Sequence, residues 1–424
     1  MRVGFKCVFW CCLAGALSAC SSDPASSPGP IAGSGGQGTA GESAAAAGQS
    51  GAVAAGGSSG SVGSAAQAGV TASSGAAGAG SGNAGQAGAS TGQAGASDGP
   101  VGPRLIGRFD QTDPSAPVFA WSGTAIALRF KGTAIGVTLS DGGSNVFQVV
   151  IDGQPSVLSL QQGTQKYVLG SNLSDAAHDV LLYRRSEALF GETTFNGFDV
   201  ATSAYLPGQA APTRRLELIG DSISAGYGDE GMLPCTFDST TENHYLTYGA
   251  LAARALGAEL YTEAWSGIGM LRNYDGSTTG TMPQRYPRTL PERDASTWDF
   301  SKYVPDAVVI NLGTNDFAQG DPTTAFQTTY TQFVTDLRGH YPKARFFLAV
   351  GSMLSGADYD KAKAYLTAVI ADRAPHGDSN LVVLPFATQD GTNDGLGCDY
   401  HPTLKTHQKM ADTLVAALKA DLGW

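Results

Sequence analysis

Two rhythms of apolar residues divide the chain beyond residue 100. Over 101–210 apolar and β-branched residues come in short runs: Phe119-Ala-Trp-Ser-Gly, Ile126-Ala-Leu-Arg-Phe, Ile135-Gly-Val-Thr-Leu and Phe147-Gln-Val-Val-Ile. Gly, Asp and Asn separate them, and Val180-Leu-Leu-Tyr and Phe195-Asn-Gly-Phe continue the pattern. Such runs, bounded by turn residues, mark strands. Asp152-Gly153, directly after Val149-Val150-Ile151, suits the corner of a tight hairpin. The segment is predicted to be a β-sandwich or jelly roll.

Over 211–424 the rhythm changes to apolar runs alternating with helical patterns. The runs at 216–220, 258–262, 307–312, 345–350 and 381–386 are continuous enough for buried parallel strands. Between them a helix is expected over 245–256. Two more carry Phe326, Tyr330, Phe333 and Leu337, and Tyr359, Leu366 and Ile370. A last helix, announced by Pro402-Thr403, places Leu404, Ala411, Leu414 and Leu418 on one face. Five strands with crossover helices predict a three-layer, doubly wound α/β domain. Its site should lie outside the carboxyl ends of the strands.

The first hundred residues follow neither rhythm. Arg2 and Lys6, an apolar run over 7–17 and then Leu17-Ser18-Ala19-Cys20 predict a secretory signal over 1–19, too short for a membrane span. The register resembles that of bacterial lipoprotein signals. That resemblance implies lipidation of Cys20 and an exported, membrane-anchored protein. Ser21 after the cysteine points to the outer membrane and cell surface. From 20 to 100 the chain is almost entirely Gly, Ala, Ser and Gln, which cannot bury enough apolar surface to fold. It is read as a flexible tether with a root-mean-square span of about 50 Å.

Compartment decides how the six cysteines are read. Cys7, Cys11 and Cys12 leave with the signal and Cys20 takes the lipid, so only Cys235 and Cys398 remain as thiols in an oxidising setting. They are expected to form a disulfide. The net charge of −11, without a basic cluster, gives no footprint for nucleic acid.

The chemistry falls where the strands end. Gly220-Asp221-Ser222 follows the first strand, Ser266-Gly267-Ile268-Gly269 the second, Gly313-Thr314-Asn315-Asp316 the third and Asp399-Tyr400-His401-Pro402 the fifth. A serine hydroxyl needs a base to take its proton, and imidazole does this near neutral pH and returns the proton to a leaving alcohol. Ser222, placed at a turn, is the expected nucleophile ahead of Ser224. His401, on a loop before Pro402, is the expected base, while His407 lies within the last helix. Asp221 and Asp316 are read as ordering their loops.

Over the last two hundred or so residues these motifs resemble the SGNH, or GDSL-like, hydrolases. Thr241-Glu242-Asn243, Trp265-Ser-Gly-Ile-Gly-Met-Leu-Arg-Asn273 and Gly397-Cys-Asp-Tyr-His-Pro402 look most similar to carbohydrate esterase family 2, which also places a small jelly roll before the hydrolase domain. The resemblance implies a flavodoxin-like strand order and removal of O-acetyl groups from polysaccharides such as xylan and glucomannan. It also implies an oxyanion hole from the Ser222 N–H, the Gly267 N–H and the Asn315 side-chain amide, with Gly269 as the rival glycine. Where these enzymes usually carry Asp three residues before the histidine, this chain has Cys398. Asp399 is the expected third catalytic residue; a backbone carbonyl or Asp394 are the alternatives. A Cys235–Cys398 bridge would tie the loop after the first strand to the histidine loop.

Trp265 and Tyr400, with Trp298 and Tyr274 behind them, are candidate platforms for sugar rings. No metal-ligand spacing or phosphate-cradling loop is present, so no cofactor is expected. Two other readings stand: a short-chain lipid or aryl esterase, and a tethered carbohydrate-binding protein on a degenerate hydrolase fold. The 273–298 loop, rich in Thr, Arg and Pro rather than apolar residues, speaks against a lipid lid.

Overall fold

The computed structural model describes residues 99–424; the signal, Cys20 and nearly all of the tether lie outside the described residues. Nine strands come first: β1 (Arg104–Ile106), β2 (Val118–Phe119), β3 (Ala125–Gly132), β4 (Ile135–Asp141), β5 (Val146–Ile151), β6 (Gln154–Ser159), β7 (Gly163–Gly170), β8 (Ala176–Arg184) and β9 (Thr193–Phe198). They form two antiparallel sheets, ordered β1-β3-β8-β5-β6 and β2-β9-β4-β7. Alternation explains the packing: Ile135, Val137 and Leu139 of β4 point inward to meet Phe119, Phe130, Phe147 and Leu182. The β5–β6 hairpin turns at Asp152-Gly153, whose φ values of 50° and 80° are the double left-handed corner that a two-residue hairpin prefers.

The second domain is a five-stranded parallel sheet of β10 (Arg214–Gly220), β11 (Ala258–Ala264), β12 (Ala307–Asn311), β13 (Arg345–Val350) and β14 (Leu381–Pro385), ordered β11-β10-β12-β13-β14. Its helices are α1 (Ser222–Ala225), α2 (Tyr248–Leu256), α3 (Met282–Arg285), α4 (Thr314–Phe317), α5 (Thr323–His340), α6 (Gly356–Arg373) and α7 (Leu404–Leu422). Successive strand residues face opposite layers. Leu216, Leu218, Val309 and Phe347 pack on α2 and α7, while Ile219, Val308, Ile310 and Phe346 pack on α5 and α6. This is the expected three-layer sandwich in flavodoxin-like order. The order reverses between β10 and β12, which opens a crevice at their carboxyl ends. Ser222 and Asn315 follow those two strands directly.

The two domains share apolar packing and a buried ion cluster. Ala120, Trp121 and Ala188 of the first join the core of the second. Arg108, fully buried, sends Nη2 to Glu217 Oε1 (3.2 Å) on β10 and lies with Nε 2.8 Å from Glu263 Oε1 on β11. Its guanidinium also caps the Tyr286 and Arg288 carbonyls and covers the Tyr286 and Trp298 rings. Burial pushes both glutamates up, and burial opposes but does not overcome the pull of Glu263 and Glu217 that holds Arg108 firmly cationic.

Candidate active site

The first strand of the parallel sheet delivers the serine. At Gly220 a Cβ would come within 2.0 Å of Ser224 Oγ, so the chain can turn here only with glycine. Asp221 then caps α1, its carboxylate accepting the Ile223 N–H at 3.0 Å. Ser222 stands at the helix start; Ser224, entirely buried, bonds the Tyr248 hydroxyl at 2.8 Å instead. Asp221 therefore orders the turn, and Ser224 is spoken for.

His401 arrives from the loop between β14 and α7. Its Nε2 lies 2.9 Å from Ser222 Oγ, and its Nδ1 lies 3.2 Å from the carbonyl oxygens of both Cys398 and Asp399. A carbonyl only accepts, so the proton sits on Nδ1 and Nε2 offers its lone pair to the serine hydroxyl. Burial lowers the imidazole pKa to about 4, against the raising pull of those two carbonyls and of Asp399. His407, in contrast, is buried in α7 and its Nδ1 accepts the Tyr248 N–H, a structural role.

Asp399 does not complete a triad through its side chain. Its carboxylate accepts from the Tyr227 hydroxyl (2.7 Å) and the Phe237 N–H (3.3 Å). The reason is backbone shape: Asp399 and Tyr400 are both left-handed, with φ of 50° and 67°, which turns two successive carbonyls toward the ring and the carboxylate elsewhere. Such a conformation costs about 1–3 kcal/mol per residue and needs outside support. The Cys235–Cys398 disulfide forms. Gly397 N–H meets His401 O at 2.8 Å, Cys398 N–H meets Gly228 O at 3.0 Å, and Gln389 Nε2 donates to Tyr400 O. Asp394 is engaged with Lys405 and Lys409. A stack supplies the rest: the Tyr227 ring lies 4.1 Å from the His401 ring and 3.6 Å from that of Phe237, which Phe190 of the first domain caps.

The expected oxyanion donors follow β11 and β12. Gly267 has φ of 77°, nothing stands within 4 Å of where its Cβ would be, and its N–H meets no protein acceptor among the described residues. Gly269, the rival, spends its N–H on Asn273 Oδ1 at 3.1 Å. Asn315 gives one amide hydrogen to Ile268 O at 2.7 Å, which fixes the group and leaves the second hydrogen for a ligand. Asp316 binds the Met270, Leu271 and Arg272 N–H groups at 2.9, 2.7 and 2.9 Å, ordering the loop as expected. Upstream, Glu187 of the first domain accepts the Ser266 N–H at 2.6 Å. Sequence reading passed over Glu187, because only the fold brings the end of β8 to this loop; its one trace is the charge cluster Arg184-Arg185-Ser186-Glu187 closing an apolar strand.

The aromatic candidates separate. Trp265 is only 9 % exposed and Arg285 lies over its ring at 4.4 Å, yet it lines the cavity beside Gly267. Trp298 is buried in the cluster with Tyr261 and Tyr303, beside Arg108. Tyr400 and Tyr274 are 62 % and 65 % exposed, and Tyr274 rims that open cavity with Ser266, Gly267, Asn273, Asp275 and Arg285.

A doubly wound sheet carrying these groups at its switch point defines the class, a carboxylic ester hydrolase. Residues 105–208 match the family Carbohydrate esterase 2 N-terminal, and residues 218–409 the GDSL-like Lipase/Acylhydrolase family. Over 321 residues the chain is 43 % identical to Cellulase/esterase CelE of Acetivibrio thermocellus; the match takes in 75 % of this chain and 39 % of that protein's length. It is 30 % identical over 328 residues to an acetylxylan esterase / glucomannan deacetylase of Cellvibrio japonicus, covering 76 % and 89 % of the two chains. A solved family two carbohydrate esterase from Clostridium thermocellum in complex with cellohexaose superimposes with a TM-score of 0.73 at 43 % identity, over 76 % of this chain and 100 % of that one. The chain belongs to the family 2 carbohydrate esterases.

Proposed function

We propose that this protein removes O-acetyl groups from plant-type polysaccharide, xylan or glucomannan, through a Ser222–His401 pair. The observation that carries the reading is the 2.9 Å contact from His401 Nε2 to Ser222 Oγ, with Nδ1 held by two carbonyls. As Ser222 Oγ attacks the acetyl carbon, Nε2 takes the hydroxyl proton and the carbonyl oxygen becomes an oxyanion. The Ser222 and Gly267 N–H groups and the free Asn315 amide hydrogen are the donors for that charge. Collapse expels the sugar hydroxyl, which recovers the proton from Nε2. Water, deprotonated by the same nitrogen, then releases acetate and restores Ser222. The two Nδ1 contacts stabilise the imidazolium of each step, in place of a carboxylate.

The open cavity beside Gly267 sets Asn273, Asp275 and Arg285 next to the Trp265 ring and exposed Tyr274, a mixture of hydrogen-bonding and aromatic groups that suits a sugar better than a lipid chain. The relative named acetylxylan esterase / glucomannan deacetylase and the relative's complex with cellohexaose support a polysaccharide carrier. Incubation with acetylated xylan and acetylated glucomannan is expected to release acetate from at least one. Acetate from neither polymer would sink the substrate assignment.

The location belongs to the same reading: exported, with Cys20 lipidated and the 20–100 segment holding the enzyme away from the outer membrane. Esterase activity is expected in the membrane fraction, and Cys20→Ser should move it to the soluble fraction. Unchanged partitioning would refute the anchor.

A further inference from the structure

The turn that closes β8 carries a buried acid from one domain into the catalytic loop of the other. Glu187 is 0 % exposed, and its Oε2 takes the Ser266 N–H at 2.6 Å. Ser266 directly precedes Gly267, so the carboxylate fixes the peptide next to the one that carries the Gly267 N–H, unpaired among the described residues. Asp316 holds residues 270–272 on the other side. The glycine thus hangs between two carboxylate anchors, and the upstream one belongs to the β-sandwich.

That anchor is itself built in. The Glu187 N–H goes to Glu242 Oε2 at 3.0 Å, its carbonyl accepts from Arg184 Nη2 at 3.0 Å, and Arg184 continues to Asn145 Oδ1 at 2.6 Å. Burial raises the Glu187 carboxyl to about 7, with the Ser266 hydrogen bond pulling the other way. Evolving a cheaper surface acceptor would avoid that desolvation cost, so a buried acid at this place points to a demand for geometry.

We propose that Glu187 is a positioning residue of the esterase site, which through Ser266 sets the direction of the Gly267 N–H and makes the β-sandwich an integral part of the catalytic centre. The inference rests on the ester-hydrolase reading above, in which Gly267 is an oxyanion donor. Removing such a donor outright costs about a hundred- to a thousandfold in turnover; a donor left in place but unaimed loses part of that.

The test uses the full chain with p-nitrophenyl acetate, counting functional sites by covalent titration of Ser222 with a fluorophosphonate so that unfolded molecules drop out. Glu187→Leu, of similar size but with no acceptor, is expected to lower kcat per titrated site by about ten- to a hundredfold with KM within about twofold. Glu187→Gln, whose amide oxygen still accepts from Ser266, should stay within about threefold of wild type. If the leucine variant does not fold, Glu187→Asp, which draws the acceptor back by one methylene, gives the same reading. A kcat per site near wild type in Glu187→Leu, or an equal loss in Glu187→Gln, overturns the proposal. Wild-type enzyme without turnover that Ser222→Ala abolishes would instead overturn the ester-hydrolase reading, so the two failures are distinct.

Discussion

Ser222→Ala is expected to lower kcat on an acetyl ester by about 10⁴- to 10⁶-fold, because Ser222 Oγ is the hydroxyl that His401 Nε2 contacts and the pair acts as a unit. His401→Ala should cost as much, and the double variant little more. The informative contrast is Asp399→Asn. Where a carboxylate holds the base, neutralising it costs about 10⁴-fold. Here the carboxylate bonds Tyr227 and Phe237 while backbone carbonyls hold Nδ1, so Asp399→Asn should cost less than about tenfold. A loss near that of Ser222→Ala would mean that the side chain swings to the ring in turnover. The pH profile carries a second check. The reaction needs neutral imidazole, and burial lowers its pKa to about 4. Activity should therefore persist well below the usual histidine range, with the acid limb of kcat/KM falling as pH drops toward that value. An acid limb at the unperturbed position, about 6.5, would contradict the buried, carbonyl-held base.

What the chain discloses in advance follows from how local each signal is. Ser222, Gly267 and Asn315 could be placed because each lies within a few residues of the end of an apolar strand, and His401 because it sits on the loop between the last strand and the last helix; a doubly wound sheet gathers such positions at one edge. Strands β6 and β7 were not legible: their residues are largely exposed and polar, so the apolar pattern that betrays a buried strand is missing. The orientation of His401 was out of reach for another reason. Left-handed backbone at Asp399 and Tyr400 is unannounced by residue type, since neither is glycine, and it is the disulfide and hydrogen-bonded surroundings that impose it. Trp265 could be placed beside the cavity, but its burial could not be foreseen, because in sequence an aromatic ring beside a loop reads the same whether or not Arg285 covers it. Glu187 and Arg108 act across the domain boundary, at sequence separations of 79 and 109 residues from Ser266 and Glu217, and no local pattern encodes such a meeting.

Arg108→Ala is expected to destabilise the protein by about 3–5 kcal/mol, the usual effect of stripping one partner from a buried ionic cluster. The arginine is wholly buried and is the cation that faces Glu217 and Glu263 in the core. Its removal also frees the Tyr286 and Arg288 carbonyls that it caps. At roughly 2 °C per kcal/mol for a body of this size, the melting temperature should fall by about 6–10 °C. The sign of the pH dependence follows from the two glutamates. Burial already raises both, and without Arg108 their folded-state pKa values rise further. The folded variant then keeps protons that the unfolded chain releases above the ordinary glutamate value, so its stability increases as pH falls toward that value. The deficit against wild type should accordingly be smaller at pH 5 than at pH 8. Combining Arg108→Met with Glu217→Gln and Glu263→Gln removes the uncompensated charge and should recover part of the loss at every pH, as exchanging a whole buried ionic group for neutral side chains often does. Denaturant melts that show the same deficit at both pH values, with no recovery in the triple variant, would place the role of Arg108 in packing against Tyr286 and Trp298 rather than in charge.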